Sequence, residues 1–309
     1  MSILRTLAPA KVNLGLFVGP TRAADGRHEL VTVMQSISLA DELELEQDVA
    51  GLERDEVVCP GVQGPPGENL AARALAAFRA SSGWEAPPLR LRIHKQIPVA
   101  AGLAGGSADA AGALRLAGHA SGLGDQQLLR TLGAQLGADV PAQISPGRWL
   151  ASGAGECLQQ LPDPNPESFG LLIVPSAAGL STAAVYAEAD RLGLGRSGAD
   201  LEDRRRALQA ALELSAAVPA VHELLENDLQ RAAISLCPQI ARTLKEVREA
   251  GADLALVSGS GPTVVGLFPH ANGLGRAQRA AAGLHGRVPA PICATPVDAS
   301  SSQCVTISG

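Results

Sequence analysis

The stretch Pro98–Gly112 constrains the fold of this chain more than any other part of its sequence. Before it, Leu89–His94 alternates apolar and polar residues, which predicts a half-buried strand. After it, residues 108–120 are rich in alanine and predict a largely buried helix. Between the two stand three glycines and a serine: Gly102, Gly105, Gly106 and Ser107. A strand, a glycine-rich loop and a helix start can bind anions, because backbone N–H groups come close to phosphate oxygens there.

The alternative to an anion-binding loop is an ordinary glycine-rich turn without a function of its own, since such turns often join a strand to a helix. The loop also lacks two familiar nucleotide-binding patterns. No lysine follows Gly106, as a Walker loop requires, and the Gly-x-Gly-x-x-Gly spacing of dinucleotide folds is absent. With Ser107 expected as the helix N-cap, the sequence predicts a phosphate-binding loop of another kind.

Composition and charge argue against several classes of protein. The 309 residues carry a net charge of −6 without a Lys/Arg stripe, which argues against binding to nucleic acid or an anionic membrane. The five cysteines are scattered and form no Cys-x-x-Cys pair, so we expect neither a zinc site nor disulfides. We expect no signal peptide, and the sequence contains no apolar run long enough to cross a membrane. We therefore expect a cytoplasmic protein with a small-molecule substrate; the number of subunits is left open.

Periodicity and chain breakers predict the remaining elements. Strands are expected within residues 1–48 and over 170–174, 254–257 and 263–268, and helices over 70–79, 125–136, 181–191, 201–214 and 274–284, with two more between 220 and 250. Residues 60–67 predict a loop, and 295–309 predict a loose tail. Prolines between 145 and 170 favour a boundary between two domains, 1–158 and 159–309.

Two further stretches place polar residues where chemistry could occur. Alternation within Pro9–Leu16 predicts a strand with Lys11, Asn13 and Gly15 on one face and Val12, Leu14 and Leu16 on the other. Asp139 stands in Gly-Ala-Asp-Val-Pro, directly after a predicted helix. A lone lysine is more often an ordinary exposed residue, but a pairing of Lys11 with Asp139 would explain both charges.

Taken together, four segments resemble the GHMP kinase superfamily over essentially the whole chain: Pro9–Leu16, Pro98–Ala108, Gly137–Pro141 and Ser258–Pro262. With the turn Asp25–Leu30, they look closest to the branch of that superfamily whose acceptor is 4-diphosphocytidyl-2-C-methyl-D-erythritol. The resemblance implies an α/β (α+β) fold of two domains, the first like domain 2 of ribosomal protein S5 and the second ferredoxin-like, with ligands in the cleft between them.

The resemblance also implies an activity. Such an enzyme transfers the γ-phosphoryl group of ATP, with Mg²⁺, to the 2-hydroxyl of the acceptor, a step of the non-mevalonate route to isoprenoid precursors. Asp139 would accept or orient the hydroxyl proton, and Lys11 would offset charge on the transferring group. The residues implied for ATP are Pro98, Val99, Ala100, Ala101, Gly102, Leu103, Ala104, Gly105, Gly106, Ser107 and Ala108, with Asn69 and Lys95 at the adenine and Ser107 near the metal ion or the β-phosphate.

The acceptor residues implied are Asn13, Arg27, His28, Thr182 and Tyr186. Two positions depart from the family pattern. Arg27 replaces a tyrosine that stacks on cytosine, although a guanidinium plane can also stack on a base or meet the diphosphate. Asp109 stands where an asparagine is usual, and we expect its carboxylate to point away from the phosphates. Two alternatives stay open: another acceptor within the superfamily, such as mevalonate or homoserine, and nucleotide binding without turnover.

Overall fold

The computed structural model describes residues 2–62, 68–214 and 224–308. The loop predicted over 60–67 lies mostly outside these residues. Within them, seven strands form one sheet and four form a second, and each sheet carries its own helices. The chain has four phenylalanines, all of them buried, and the rest of the core is mainly aliphatic. No helix of the described residues has the length and apolar character to cross a membrane.

The first sheet is built around two long strands. Its strands are β1 Ser2–Thr21, β2 His28–Glu46, β3 Glu56–Val58, β4 Arg90–His94, β5 Arg148–Ser152, β6 Cys157–Leu161 and β11 Val305–Ser308. The order is β11-β1-β2-β4-β3, with β5 pairing with the other half of β2 and β6 pairing with β5. The helices of this part are α1 Leu70–Ser82, α2 Gly105–Ser121, α3 Gln126–Leu136 and α4 Val140–Ile144.

The second sheet is antiparallel, in the order β10-β7-β9-β8. Its strands are β7 Phe169–Val174, β8 Leu254–Val257, β9 Val264–Pro269 and β10 Ile292–Ala294, and the helices of this part are α5 Thr182–Arg191, α6 Gly198–Leu214, α7 Gln230–Leu236, α8 Gln239–Glu249 and α9 Gly273–Gly283. Gly170 and Gly273 let α9 approach β7 closely, since a Cβ on Gly170 would lie 2.3 Å from the carbonyl carbon of Gly273. The two glycines therefore bring backbone against backbone.

Three of the predicted helices begin at a residue whose side chain caps them. Asn69, Asp125 and Ser181 accept hydrogen bonds from the first turns of α1, α3 and α5. The prediction of Ser107 as the N-cap of α2 is wrong: α2 begins at Gly105, and Ala104 occupies the cap position with a φ of 57° and no side-chain bond. The left-handed turn at Ala104 starts the helix before the serine is reached, so Ser107 lies inside the first turn.

The prediction of a loose tail over 295–309 is also wrong. Ala299–Ser302 forms a 3-10 turn, and β11 pairs antiparallel with β1. Thr6 donates its hydroxyl hydrogen to the Ser302 carbonyl over 2.7 Å. Strand β1 would otherwise present an unpaired edge, and β11 satisfies the backbone groups there. The last strand therefore belongs to the first sheet, not to the second unit predicted from 159 to 309, and the predicted boundary at 158 falls inside β6.

Two irregularities of β1 determine which side chains reach the cleft. The pairing of β1 with β2 shifts register between Pro9 and Lys11 and again between Asn13 and Gly15. Such bulges bend a strand and re-aim its side chains, and they occur often beside active sites. The segment from Lys11 to Asn13 lies between the two shifts.

Candidate active site

A cleft of about 940 Å³ lies at the meeting point of the two sheets' elements. One wall comes from β1 and β2, and the glycine-rich loop forms another. The starts of α1, α4 and α5 and the turn at Gly259 and Ser260 also contribute to the lining. Most residues predicted for ATP and all those predicted for the acceptor line this one cavity.

Lys11 and Asp139 meet in the cleft. Lys11 Nζ lies 3.4 Å from Asp139 Oδ2 and donates a hydrogen bond to Asn13 Oδ1 over 2.8 Å. Lys11 is only 7% exposed, so its ammonium is held among fixed partners. The Lys11 backbone N–H also donates to the Leu103 carbonyl over 3.2 Å, which ties β1 to the glycine-rich loop.

Asp139 keeps its carboxylate available. It occupies the N-cap position of α4, but its side chain makes no capping hydrogen bond. The side chain is 37% exposed and faces the cavity. A carboxylate that is both accessible and adjacent to an ammonium can accept or orient the proton of a bound hydroxyl group.

The glycine-rich loop, residues 98–106, lines the cleft along its whole length. Its backbone turns sharply, with a φ of 73° at Gly102 and 57° at Ala100. A Cβ on Gly102 would lie 2.9 Å from the Gly261 carbonyl oxygen, so this loop packs directly on the second glycine-rich turn. Ser107 and Ala108 are not among the residues that line the cavity, and Ala108 is buried.

Two buried carboxylates and a half-buried lysine lie at one end of the loop. Lys95 Nζ donates to Asp41 Oδ2 over 2.5 Å and to Asp109 Oδ2 over 2.7 Å. Burial raises the pKa of Asp109 to about 7, against the opposing effect of Lys95. Asp109 is among the residues that line the cavity, and its carboxylate pairs with Lys95; its expected direction away from the phosphates stays a prediction. Two N–H groups of Lys95 are thereby engaged within the protein.

Asn69 lies on the same side of the cleft. Its side-chain oxygen accepts the Ala71 N–H over 2.9 Å and so caps α1. Its predicted contact with adenine, like that of Lys95, stays a prediction.

The residues predicted for the acceptor line the other end of the cleft. His28 and Tyr186 stack with ring centroids 5.3 Å apart, and His28 Nε2 lies 3.2 Å from Asp190 Oδ1. Burial raises the pKa of Tyr186 to about 12, so its phenol stays protonated. Arg27 donates to the Ala154 carbonyl, and the Thr182 hydroxyl lies 3.0 Å from that of Ser260.

Sequence reasoning missed two polar residues of the site. The Thr32 hydroxyl accepts a hydrogen bond from Asn13 Nδ2 over 2.7 Å, and Ser260 lines the cavity beside Thr182. The pairing of β1 with β2 was the signal for Thr32, since His28–Ile37 faces the strand that carries Lys11. Leu16, predicted on the face opposite Lys11, also lines the cleft. The bulge between Asn13 and Gly15 reverses the alternation after Asn13.

Comparisons with known families agree with this geometry. Residues 69–147 match the GHMP kinases N terminal domain, and residues 202–286 match the GHMP kinases C terminal domain. A homoserine kinase structure from Cytophaga hutchinsonii superposes with a TM-score of 0.71 at 15% identity, over 98% of this chain and 97% of that one, which shows a shared fold. The expected two-domain GHMP architecture is therefore confirmed.

Relatives that are more similar in sequence show to which family of GHMP kinases the chain belongs. The 4-diphosphocytidyl-2-C-methyl-D-erythritol kinase of Streptomyces coelicolor is 44% identical over 82% of this chain and 84% of its own length. The enzyme of that name from Anaeromyxobacter dehalogenans (strain 2CP-C) is 40% identical over 92% and 86%. A crystal structure of 4-(cytidine 5'-diphospho)-2C-methyl-D-erythritol kinase superposes with a TM-score of 0.74 at 32% identity, over 94% of this chain and 98% of that one. At this similarity over most of both lengths, the chain belongs to the 4-diphosphocytidyl-2-C-methyl-D-erythritol kinase family of GHMP kinases.

Proposed function

We propose that this protein transfers the γ-phosphoryl group of ATP to the 2-hydroxyl of 4-diphosphocytidyl-2-C-methyl-D-erythritol, in the cytoplasm. The observation that carries the proposal is the contact of Lys11 with Asp139, 3.4 Å apart in a cleft that also holds the glycine-rich loop and the His28–Tyr186 stack. The names of its relatives support the acceptor. Five unpaired cysteines suit a reducing compartment.

The proposed binding of ATP is based on the glycine-rich loop. Backbone N–H groups of residues 99–106, together with the start of α2, would bind the triphosphate. Ala100, Gly102 and Ala104 have left-handed backbone conformations, so the loop turns sharply at these three positions. Asn69 and Lys95 would lie at the adenine, on the side of the cleft where α1 starts.

The chemical step is one of positioning and charge. Phosphoryl transfer needs an in-line nucleophile and neutralisation of the phosphate oxygens more than covalent participation by the protein. Asp139 would accept the proton of the attacking hydroxyl group. Lys11, held by Asn13 and Asp139, would place its remaining N–H toward the transferring group.

Mg²⁺ belongs to the proposal as the ion that accompanies ATP. Such an ion is commonly held mainly by substrate phosphates, with one or two oxygen ligands from the protein. The Asp139 carboxylate, which is 37% exposed in the cavity, is an oxygen donor that fits this pattern. Ser107 stays the predicted neighbour of the ion or the β-phosphate: it follows Gly105 and Gly106 of the cavity wall in the first turn of α2 but does not itself line the cavity. When bound, the ion would neutralise charge on the phosphate oxygens.

The acceptor end rests on His28, Tyr186 and Thr182, with Asn13 at the erythritol part. The stacked rings offer an aromatic surface for a pyrimidine base. Arg27 is exposed at the same end of the cavity, where its guanidinium would stack on the base or meet the diphosphate.

Acceptor-dependent ADP release tests the proposal. The purified chain with ATP and Mg²⁺ should release ADP when 4-diphosphocytidyl-2-C-methyl-D-erythritol is added, and ³¹P NMR should show one new phosphomonoester. Homoserine and mevalonate serve as matched acceptors in parallel reactions. ADP release with either of these, and none with the cytidylyl acceptor, would contradict the proposed acceptor. ATP binding without ADP release in any reaction would contradict a kinase.

A further inference from the structure

We infer that Thr32 is a positioning residue for phosphoryl transfer, because its hydroxyl holds the Asn13 amide in the orientation that directs the Lys11 ammonium toward Asp139. The inference rests on the proposed function, which gives Lys11 and Asp139 their roles. Thr32 itself need not touch either substrate to act in this way.

An unbroken series of hydrogen bonds connects these residues. Lys11 Nζ donates to Asn13 Oδ1 over 2.8 Å, and Asn13 Nδ2 donates to Thr32 Oγ1 over 2.7 Å. The Thr32 hydroxyl in turn donates to the Gly15 carbonyl over 2.6 Å. At the other end, Lys11 Nζ lies 3.4 Å from Asp139 Oδ2.

The direction of every bond in this series is fixed by its two ends. An ammonium can only donate and a carbonyl can only accept, so Lys11 requires an acceptor and Gly15 requires a donor. The Asn13 amide satisfies both requirements in one orientation. Turned over, it would present Nδ2 to the ammonium and leave the Thr32 hydroxyl with two acceptors and one hydrogen.

Burial makes the orientation matter. Asn13 and Thr32 are 5% and 4% exposed, so little water is available to replace a lost partner. The Asn13 backbone N–H donates to the buried Ser258 Oγ over 3.2 Å, which fixes the main chain beneath the amide. With the backbone held, rotation of the side-chain amide is the movement that remains.

The expected consequence is on rate, not on nucleotide affinity. Without the Thr32 hydroxyl, Asn13 Nδ2 loses its acceptor, and the amide is no longer held against turning toward Lys11. The ammonium then loses its Oδ1 partner and its direction. The triphosphate, by contrast, would be bound by the glycine-rich loop, which Thr32 does not contact through any hydrogen bond of the described residues.

Three single variants separate positioning from general stability. Thr32→Val, which keeps the shape and removes the hydroxyl, should lower kcat roughly tenfold, the factor for one net hydrogen bond, with KM for ATP unchanged. Thr32→Ser should keep kcat within about threefold. The control Thr6→Val removes an equally buried hydroxyl that donates to the Ser302 carbonyl, far along the sheet, and should affect unfolding by urea only.

A double-mutant cycle then tests whether Thr32 acts through Asn13. In an Asn13→Ala background, measured by single turnover with excess enzyme, Thr32→Val should change the rate by less than about twofold. Equal losses in both backgrounds, or a Thr32→Val enzyme with the parent's kcat, would overturn the inference. If the parent itself releases no ADP with the cytidylyl acceptor, the proposed function has failed instead. In that case, unchanged protection of the Asn13 side-chain amide protons from solvent exchange in Thr32→Val would overturn the inference independently.

Discussion

Single residues of this protein carry charge where burial makes charge costly. Asp41 and Asp109 share the Lys95 ammonium, and both carboxylates are almost fully buried. Asp41 also accepts the backbone N–H groups of Gln96 and Ile97, so it is the better satisfied of the two. Asp109 Oδ1 has no hydrogen-bond partner among the described residues. Burial of two negative charges beside one ammonium therefore disfavours mainly the ionised form of Asp109.

This imbalance predicts a pH-dependent stability. Because the pKa of Asp109 is about 7 when folded and 3.8 ordinarily, the folded chain binds a proton that the unfolded chain releases, and stability falls as pH rises from 4 to 7. Asp109→Asn removes this effect. From pH 5.5 to pH 8.5, the free energy of unfolding of the variant should rise relative to that of the parent by on the order of 1–2 kcal/mol. Urea unfolding of both proteins at the two pH values measures this difference in stability. A difference of equal size at both pH values would contradict the prediction.

The residues of the site were predictable to different degrees. Lys11 and Asp139 stood out because a charge on an apolar strand and a carboxylate in an apolar turn both need a partner. The pairing of Asp109 was not predictable, since Lys95 follows the end of β4 and the other carboxylate on that lysine, Asp41, lies in β2. Thr32 gave no local signal because its role comes from the pairing of β2 with β1.

At the scale of elements, the glycine-rich loop depends on its contact with the second glycine-rich turn. Gly102→Ala would force a side chain into a left-handed backbone and toward the Gly261 carbonyl, 2.9 Å away. We expect the loop to shift, KM for ATP to rise roughly tenfold and stability to fall by about 1–2 kcal/mol. Steady-state kinetics and urea unfolding measure these effects. Unchanged values would contradict the role given to this contact.

Gly283→Ala is the matched control for that variant. Gly283 lies in α9, far from the loop, and a Cβ there meets nothing within 4 Å. Because alanine favours a helix over glycine by up to about 1 kcal/mol, stability should rise slightly and KM for ATP should not change.

Elements were predictable wherever their ends carry a local signal. Asn69, Asp125 and Ser181 cap three of the predicted helices, and such capping is decided within one turn. The bulges of β1 were not predictable, because β2 determines the register against which they appear. The C-terminal strand was missed for a similar reason, since its partner lies at the opposite end of the sequence.

At the scale of the whole molecule, the C-terminal strand β11 connects the second sheet back to the first. The chain leaves the first sheet after β6, forms the second sheet, and returns as β11 to pair with β1. Removal of residues 299–309 would expose the β1 edge and take away the Ser302 carbonyl that accepts from Thr6. We expect a loss of stability of about 2–4 kcal/mol, from several hydrogen bonds of about 1 kcal/mol each, measured by urea unfolding. An unchanged midpoint would show that the strand contributes nothing to folding.

The proposed phosphoryl transfer depends most on the pairing of Lys11 with Asp139 at the reacting group. The direct test is Asp139→Asn, assayed for turnover of the cytidylyl acceptor and, separately, for ATP binding by calorimetry. We predict that kcat falls by roughly 10²–10⁴-fold while the Kd for ATP stays within about threefold of the parent's. A variant that turns over at nearly the parent's rate, or that loses turnover only because it no longer binds ATP, would contradict the role given to Asp139.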